Sequence, residues 1–187
     1  MRPTKKICLL IGLFGLSLTL AMAQDTKLRD PDVIYVPTPQ EVVNEMLKLA
    51  EVHAGDVVYD LGCGDGRTVI TAAKEYGVRA VGIDINPERI KESLANAQQA
   101  GVMDKVAFRN EDLFEANISE ASVVTLYLLQ SLNVKLRPKL WRDLKPGTRI
   151  VSHAFDMGDW EPEKQIEVDG RRVFLWRVPA RSSASAQ

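Results

Sequence analysis

The sequence is poor in the residues that crosslink small proteins or bind metals, and its charges nearly cancel. Two cysteines and two histidines in 187 residues argue against a disulfide scaffold, a cysteine-rich zinc site and a histidine-based metal cluster. Lys+Arg totals 24 and Asp+Glu totals 25, which gives a net charge of -1. Because neutralising phosphates requires a basic face, we expect no nucleic-acid partner. The net charge does not exclude a local basic patch.

The first 23 residues have the three-part build of a secretory signal peptide. A basic start precedes an apolar run over 7–20, and residues 21–23 (Ala-Met-Ala) supply the small residues of a cleavage site. The alternative is a single uncleaved anchor, since Ile7 to Ala23 is at the short limit for crossing a bilayer. We therefore expect residues 1–23 to be a signal peptide or N-terminal anchor. The protein would then be exported, periplasmic or tethered to a membrane, with no other membrane contact.

The remaining chain alternates between strand and helix patterns. Residues 24–37 are polar and interrupted by proline, which is typical of an irregular arm, and 179–187 read as a disordered tail. Four helix patterns alternate with five strand patterns. The helix patterns cover residues 38–50, 67–76, 86–101 and 132–144, and the strand patterns cover residues 56–61, 79–85, 106–110, 122–129 and 149–154. Thr38 is predicted to cap the first helix. A hairpin of 165–168 and 172–178 follows.

This order of elements predicts the fold class. Strands that alternate with helices form a mostly parallel sheet covered on both faces. We predict an α/β fold, namely a Rossmann-like, doubly wound, seven-stranded sheet with a C-terminal antiparallel hairpin. The domain would span residues 38–178. Ligands of such sheets bind beyond the carboxyl ends of the strands.

A glycine-rich turn follows the first strand of the domain. Gly62, Gly64 and Gly66 alternate there, and such a turn lets a ligand approach the backbone without a Cβ in the way. The dinucleotide fingerprint needs its third glycine one place later, where Arg67 stands, so the spacing disfavours NAD and FAD. The chain also lacks the GxxxxGK[ST] pattern of a P-loop.

Three aspartates follow three successive strands. Asp84 could accept hydrogen bonds from both hydroxyls of a ribose, as acids do at this place in nucleotide folds. Asp112 could accept a hydrogen bond from the exocyclic amine of adenine, and Asp60 would face the cationic methionine end of a ligand. Each acid alone has the alternative of a surface loop or helix cap, but the three together favour an adenosine-bearing ligand.

These segments resemble a known family. The stretches 60–66 (Asp-Leu-Gly-Cys-Gly-Asp-Gly), 82–84 (Gly-Ile-Asp) and 111–113 (Glu-Asp-Leu) resemble the successive motifs of class I S-adenosylmethionine-dependent methyltransferases. The resemblance runs from about residue 35 to residue 178. It implies S-adenosyl-L-methionine as the cofactor, with the glycines and the three aspartates around it. S-adenosylmethionine is made in the cytosol, which is in tension with an exported protein.

A narrower resemblance involves the segment before the first helix. Residues 35–39 (Tyr-Val-Pro-Thr-Pro), together with the glycine turn and Asn86-Pro87, are similar to the small lysine methyltransferases that modify the ATP synthase c subunit and to their prokaryotic relatives. In that family the segment folds over the cofactor. The resemblance implies that Tyr35, Thr38 and Pro39 help to close the site, and that Asn86 also belongs to it.

Candidates for the acceptor side follow the fourth and fifth strands. Tyr127 could orient an amine or accept its proton, and a buried core tyrosine is the alternative. His153, Asp156 and Trp160 could line a pocket for a cationic amine, and the alternative is a loop with a capping Asp156 and a packing Trp160. Tyr127 and Asp156 are the predicted catalytic residues, and no metal ligand is predicted.

The predicted reaction is transfer of a methyl group from S-adenosylmethionine to an amine, with protein lysine or a small molecule as the acceptor. A non-catalytic protein that binds an adenosyl ligand is the alternative. A nicotinamide-dependent oxidoreductase is disfavoured by Arg67.

Overall fold

The computed structural model describes residues 28–180 of the chain. The predicted leader, residues 1–23, and the part of the predicted tail from residue 181 onward lie outside the described residues, so both stay predictions. Residues 28–39 contain no helix or strand, as an irregular arm requires. No helix between residues 28 and 180 is long and apolar enough to cross a membrane.

The domain contains four helices and seven strands within its described residues. The helices are α1 Gln40–Leu49, α2 Arg67–Tyr76, α3 Pro87–Ala100 and α4 Gln130–Asp143. The strands are β1 Val57–Leu61, β2 Arg79–Asp84, β3 Val106–Asn110, β4 Val123–Leu126, β5 Arg149–His153, β6 Lys164–Val168 and β7 Arg171–Arg177. They form one sheet in the order β3-β2-β1-β4-β5-β7-β6.

The pairing of the strands confirms the predicted fold class. Strands β1 to β5 pair in parallel, and β7 is antiparallel to both of its neighbours, β5 and β6. In the parallel register, Asp60 lies beside Gly82 of β2 and Thr125 of β4, while Asp84 lies beside Asn110 of β3. The carboxyl ends of these four strands therefore meet at one edge of the sheet.

Apolar layers cover both faces of the sheet. On one face, Val58 and Val151 pack with α1 and α2. On the other face, Tyr59 and Ile150 pack with α4. Side chains alternate along a strand, so β1 and β5 each contribute to both layers. The central strands are fixed from both sides, which holds their carboxyl ends in place for a site.

Three predicted details need correction. Thr38 does not cap α1: the helix begins at Gln40, Pro39 precedes it, and Thr38 is buried with its hydroxyl directed to His153. Strand β4 ends at Leu126 rather than Leu129, because residues 127–129 leave the sheet to start α4. Helix α4 begins at Gln130 rather than at Leu132. It continues through the exposed Pro138, and the Val134 carbonyl that loses its helical donor there belongs to an exposed residue.

Candidate active site

A cavity opens at the edge where the parallel strands end. Asp60, Asp84 and Asp112 all line it, although they are widely separated in the chain. Of the other predicted site residues, Tyr35, Thr38, Gly62, Asn86 and Tyr127 also line it. Pro39, Gly64, Gly66 and Asp156 are not among the lining residues. The structure therefore brings together eight of the twelve residues predicted to be catalytic, to bind the cofactor or to close the site.

The glycine turn has the backbone shape that its sequence predicts. Gly62, Gly64 and Gly66 all have positive φ, and Gly66 precedes the first residue of α2. A Cβ on Gly64 would clash with Cε2 of Tyr35, so the aromatic ring of the arm rests directly on bare backbone. Glycine at this position permits both the left-handed conformation and the close approach.

Asp84 is held by two backbone groups at the end of β2. Its Oδ2 accepts a hydrogen bond from the Gly64 amide at 2.9 Å, and its Oδ1 accepts one from the Asn86 amide at 2.9 Å. Burial raises the pKa of Asp84, and these hydrogen bonds oppose the rise. A carboxylate oxygen has two lone pairs, so each oxygen keeps one for a hydroxyl of a ligand.

Asn86 connects this carboxylate to helix α3. Its side-chain oxygen accepts a hydrogen bond from the Glu88 amide at 2.9 Å and so caps the helix, with Pro87 in the first turn. Asn110 of the adjacent strand donates to the carbonyls of Asp84 and Ile85. The end of β2 is therefore fixed by local contacts on both sides.

Asp60 is the most buried of the three acids. Its side chain accepts a hydrogen bond from the Thr125 hydroxyl at 2.7 Å, and the residue is 7% exposed. Burial raises the pKa of Asp60 to about 7, and the nearby negative charges of Asp84 and Asp65 add to the rise. A cation bound nearby would favour the ionised form of this carboxyl.

Asp112 is paired with the arm by a contact that sequence reasoning missed. Arg29 Nε donates to Asp112 Oδ2 at 2.5 Å and Nη2 donates to Oδ1 at 3.2 Å, while the Phe114 amide also donates to Oδ1. Burial works to raise the pKa of Asp112, but the hydrogen bonds from Arg29 and Phe114 bring it below its ordinary value. Because 83 residues separate the pair, nothing local in the sequence indicates it.

Two further arginines tie the arm to the glycine turn. Arg67 makes a bidentate contact with Asp65 and donates to the Thr38 carbonyl at 2.8 Å. The Arg89 guanidinium lies 4.9 Å from the centre of the Tyr35 ring, and that ring rests on the backbone of Gly64. These contacts hold residues 35–38 over the cavity. In the sequence, Arg67 served only to exclude a dinucleotide site, and Arg89 gave no signal.

The predicted acceptor side is only partly assembled around the cavity. Tyr127 lines it, and its ring lies against the tilted ring of His153 with 3.9 Å between ring centres. Asp156 instead accepts hydrogen bonds from Gln130 and from the Gly158 amide, and these lower its pKa. Trp160 packs between Trp141 and Trp176. The contacts of Asp156 and Trp160 are those expected of the alternative, a loop with a capping aspartate and a packing tryptophan, and the catalytic role of Asp156 stays a prediction.

Side chains that could bind a metal ion do not cluster in the described part of the chain. Within residues 28–180, no three His, Cys, Asp or Glu side chains are grouped so that they could hold a metal ion. Cys63, in the glycine turn, is buried, and burial raises the pKa of its thiol well above the ordinary range.

Comparisons with known proteins agree with this arrangement. The family model described as the ANTKMT methyltransferase domain matches residues 60–164. A protein-lysine N-methyltransferase of Saccharolobus islandicus is 53% identical over 74% of this chain and 87% of its own length. The human lysine N-methyltransferase of the ATP synthase c subunit is 32% identical over 83% of this chain and 68% of its own length.

A solved structure also matches most of the chain. It is described as an RNA methyltransferase from Salinibacter ruber in complex with S-adenosyl-L-homocysteine. It is 54% identical, covers 81% of this chain and 99% of its own, and superimposes with a TM-score of 0.77.

The chain therefore belongs to the family of the ANTKMT methyltransferase domain. It is an S-adenosylmethionine-dependent methyltransferase, which confirms the class that its motifs resemble. The cavity fits this methyl donor chemically. The donor presents a cationic sulfur, an ammonium, ribose hydroxyls and an exocyclic amine. The three carboxylates that line the cavity can accept hydrogen bonds from the hydroxyls and amines and can balance the positive charges.

Proposed function

We propose that this protein transfers a methyl group to the ε-amine of a lysine in a protein substrate. The observation that carries the proposal is the 53% identity with a protein-lysine N-methyltransferase over 87% of that relative's length. The human relative, which is also named for a lysine methyltransferase activity, supports the same acceptor class at greater distance. The charges around the cavity also favour an amine as the acceptor.

In this proposal the three acids and the glycine turn hold the donor. Asp84 accepts hydrogen bonds from the ribose hydroxyls with its two remaining lone pairs, Asp112 accepts one from the adenine amine, and Asp60 faces the cationic end. Gly62 lines the cavity without a side chain, Gly64 and Gly66 give the turn its positive φ angles, and Asn86 fixes the end of β2. Tyr35, Thr38 and Pro39 belong to the arm that closes over the cavity.

The chain's part in the reaction is to orient the amine and exclude water. S-adenosylmethionine supplies an already activated methyl group, so alignment of the nucleophile can provide most of the rate enhancement. The lysine must first lose its proton. Tyr127 and the rings behind it offer neutral surroundings, and neutral, poorly solvated surroundings lower the pKa of an ammonium group.

RNA is the second candidate acceptor, because the matched solved structure is described as an RNA methyltransferase. The charges around the cavity favour lysine instead. Arg29 is paired with Asp112, Arg67 with Asp65, and Arg89 with Glu92. An RNA site requires cations that are available to phosphates, and these three are already engaged by carboxylates.

A transfer assay with separated acceptors tests the proposal. The full-length protein is incubated with S-adenosylmethionine carrying a tritiated methyl group and a lysate of the source cell, which is then divided into protein, RNA and small-molecule fractions. We expect the label in protein, resistant to ribonuclease and recovered as methyl-lysine after hydrolysis. Prior chemical methylation of lysate amines should abolish the signal. Label that ribonuclease removes would assign the protein to RNA instead.

A further inference from the structure

A buried hydrogen bond joins the arm to the end of β5. The Thr38 hydroxyl and His153 Nδ1 are 3.2 Å apart, although 115 residues separate them in the chain. Thr38 is 8% exposed and His153 is 1% exposed. Inside the protein a polar pair of this kind is costly to break, because each group would be left without a partner.

The same imidazole supports the wall of the cavity. Tyr127 lines the cavity, and its ring lies 3.9 Å from the ring of His153, centre to centre, with 31° between the planes. Tyr127 also stacks on Phe155, with 6.3 Å between ring centres. One side chain, that of His153, thus contacts both the arm above the cavity and an aromatic residue in its wall.

The contacts continue from Thr38 to the glycine turn. The Thr38 carbonyl accepts a hydrogen bond from Arg67, and Arg67 is paired with Asp65. A continuous set of polar and aromatic contacts therefore runs from the turn, through Thr38 and His153, to Tyr127. In the sequence these residues lie in four separate segments, so the tertiary structure alone creates the set.

The charge state of His153 suits this role. Burial, together with the positive charge of Arg171, lowers the pKa of His153 to about 4, so the imidazole is neutral near pH 7. A neutral ring beneath Tyr127 does not repel an approaching ammonium group. It also leaves the surroundings of the amine uncharged, which favours loss of its proton.

We propose that His153 is a positioning residue, which couples closure of the arm through Thr38 to the placement of Tyr127 at the acceptor side of the cavity. The proposal deepens the proposed function, because it rests on Tyr127 bordering the amine acceptor. It does not depend on whether that acceptor is a lysine. The contact is a hydrogen bond of ordinary net strength, which corresponds to about a fivefold change in an equilibrium.

Four variants separate the two contacts of His153. Thr38→Val removes the hydroxyl, and Thr38→Ser is the matched control that retains it. His153→Phe keeps a ring beneath Tyr127 but loses the nitrogen that meets Thr38. His153→Asn keeps a polar group near the position of Nδ1 but loses the ring. Thermal unfolding of each variant shows whether it folds.

Hydrogen exchange in the presence of S-adenosylhomocysteine tests the coupling without any acceptor. In Thr38→Val and His153→Phe we expect about fivefold faster exchange both in peptides from residues 33–38 and in peptides from 127–132. Peptides from β1 and β2 should exchange as in the wild type, and Thr38→Ser should behave as wild type throughout. Unchanged exchange over 127–132 in both variants, or faster exchange across the whole sheet, would overturn the proposal.

Methyl transfer supplies the second measurement. With the total label incorporated into unfractionated lysate as readout, we expect Thr38→Val to lower the initial rate about fivefold and Thr38→Ser to restore it. The loss of rate should persist at saturating S-adenosylmethionine, so that it exceeds any fall in affinity for S-adenosylhomocysteine measured by calorimetry. A loss of rate explained by weaker cofactor binding would also contradict a positioning role. If the wild type labels no fraction, the proposed function fails, while the exchange experiment still decides the coupling.

Discussion

The two halves of the cavity are built in different ways. In the half formed by β1, β2 and β3, the motif residues are held by contacts that are local in the chain or lie between adjacent strands, such as Asp84 with the amides of Gly64 and Asn86. The arm adds the distant pair of Arg29 with Asp112. The half formed by β4, β5 and the arm depends on distant contacts, above all Thr38 with His153. A local motif can therefore specify the donor side of a site, whereas the acceptor side needs the whole domain.

The halves also differ in charge. The donor half contains buried acids, and burial raises the pKa of both Asp60 and Asp84. The acceptor half presents the Tyr127 ring, supported by a His153 whose pKa burial lowers to about 4. Buried carboxyls are suited to a cationic donor, and neutral rings are suited to an amine that must lose its proton. Three changes test this division.

The largest expected effect comes from Asp84→Ala. The change removes a carboxylate that accepts two backbone hydrogen bonds and, in our proposal, the ribose hydroxyls. Hydrogen bonds to charged groups contribute about 1.5–3 kcal/mol each, so affinity for S-adenosylhomocysteine should fall about 100-fold or more in calorimetry. Asp104→Ala, at an exposed position, is the matched control. An Asp84→Ala protein that binds the cofactor normally would remove the basis for assigning this half to the donor.

An intermediate effect is expected from pH, through Asp60. Its pKa is about 7 in the folded protein, against an ordinary value of 3.8, so the folded state keeps a proton that the unfolded chain has released. This contribution to stability is present in full below about pH 4, and it is lost as the pH rises to about 7. Urea unfolding from pH 4 to pH 8 should show this loss in the wild type and not in Asp60→Asn.

The same carboxyl should make donor binding depend on pH. A cation favours the ionised form of Asp60, so affinity for S-adenosylmethionine should rise as the pH rises, by about tenfold between pH 6 and pH 8. The rise should be smaller in Asp60→Asn. Equal pH profiles for the two proteins would show that Asp60 does not face the positive end of the donor.

The smallest effect is expected from Asp156→Ala. The Asp156 carboxylate is bound by Gln130 and the Gly158 amide in the loop after β5, and it does not line the cavity. We expect a loss of stability of about 1 kcal/mol and less than a twofold change in the methyl transfer rate. A tenfold loss of rate in a folded Asp156→Ala protein would show that Asp156 takes part in catalysis and that the acceptor half extends to the loop after β5.

The donor half was largely predictable because its signals are local. Positive φ at Gly62 and Gly64 is expected from glycine in a tight turn, and acids at strand ends converge wherever the strands are parallel. The fold class followed from the order of strand and helix patterns for the same reason. The boundaries were less certain, as the early end of β4 at Leu126 shows.

The acceptor half was predicted less well because its residues have meaning only in three dimensions. Thr38 had the sequence of a helix cap, yet burial directs its hydroxyl to His153 instead. Asp156 and Trp160 had the composition of a pocket, yet local hydrogen bonds and aromatic packing hold them in a loop. The donor half has a distant contact too: Arg29 gave no signal, because its partner Asp112 is 83 residues away.

The sequence by itself determined the backbone of the glycine turn, the parallel sheet and the edge at which three carboxylates meet, because periodicity and turn chemistry act over a few residues. The tertiary structure decided which arm covers the cavity, which arginine pairs with which acid, and that Tyr127 rests on a buried neutral histidine. Those features depend on burial and on contacts between distant segments, and neither exists until the domain has packed.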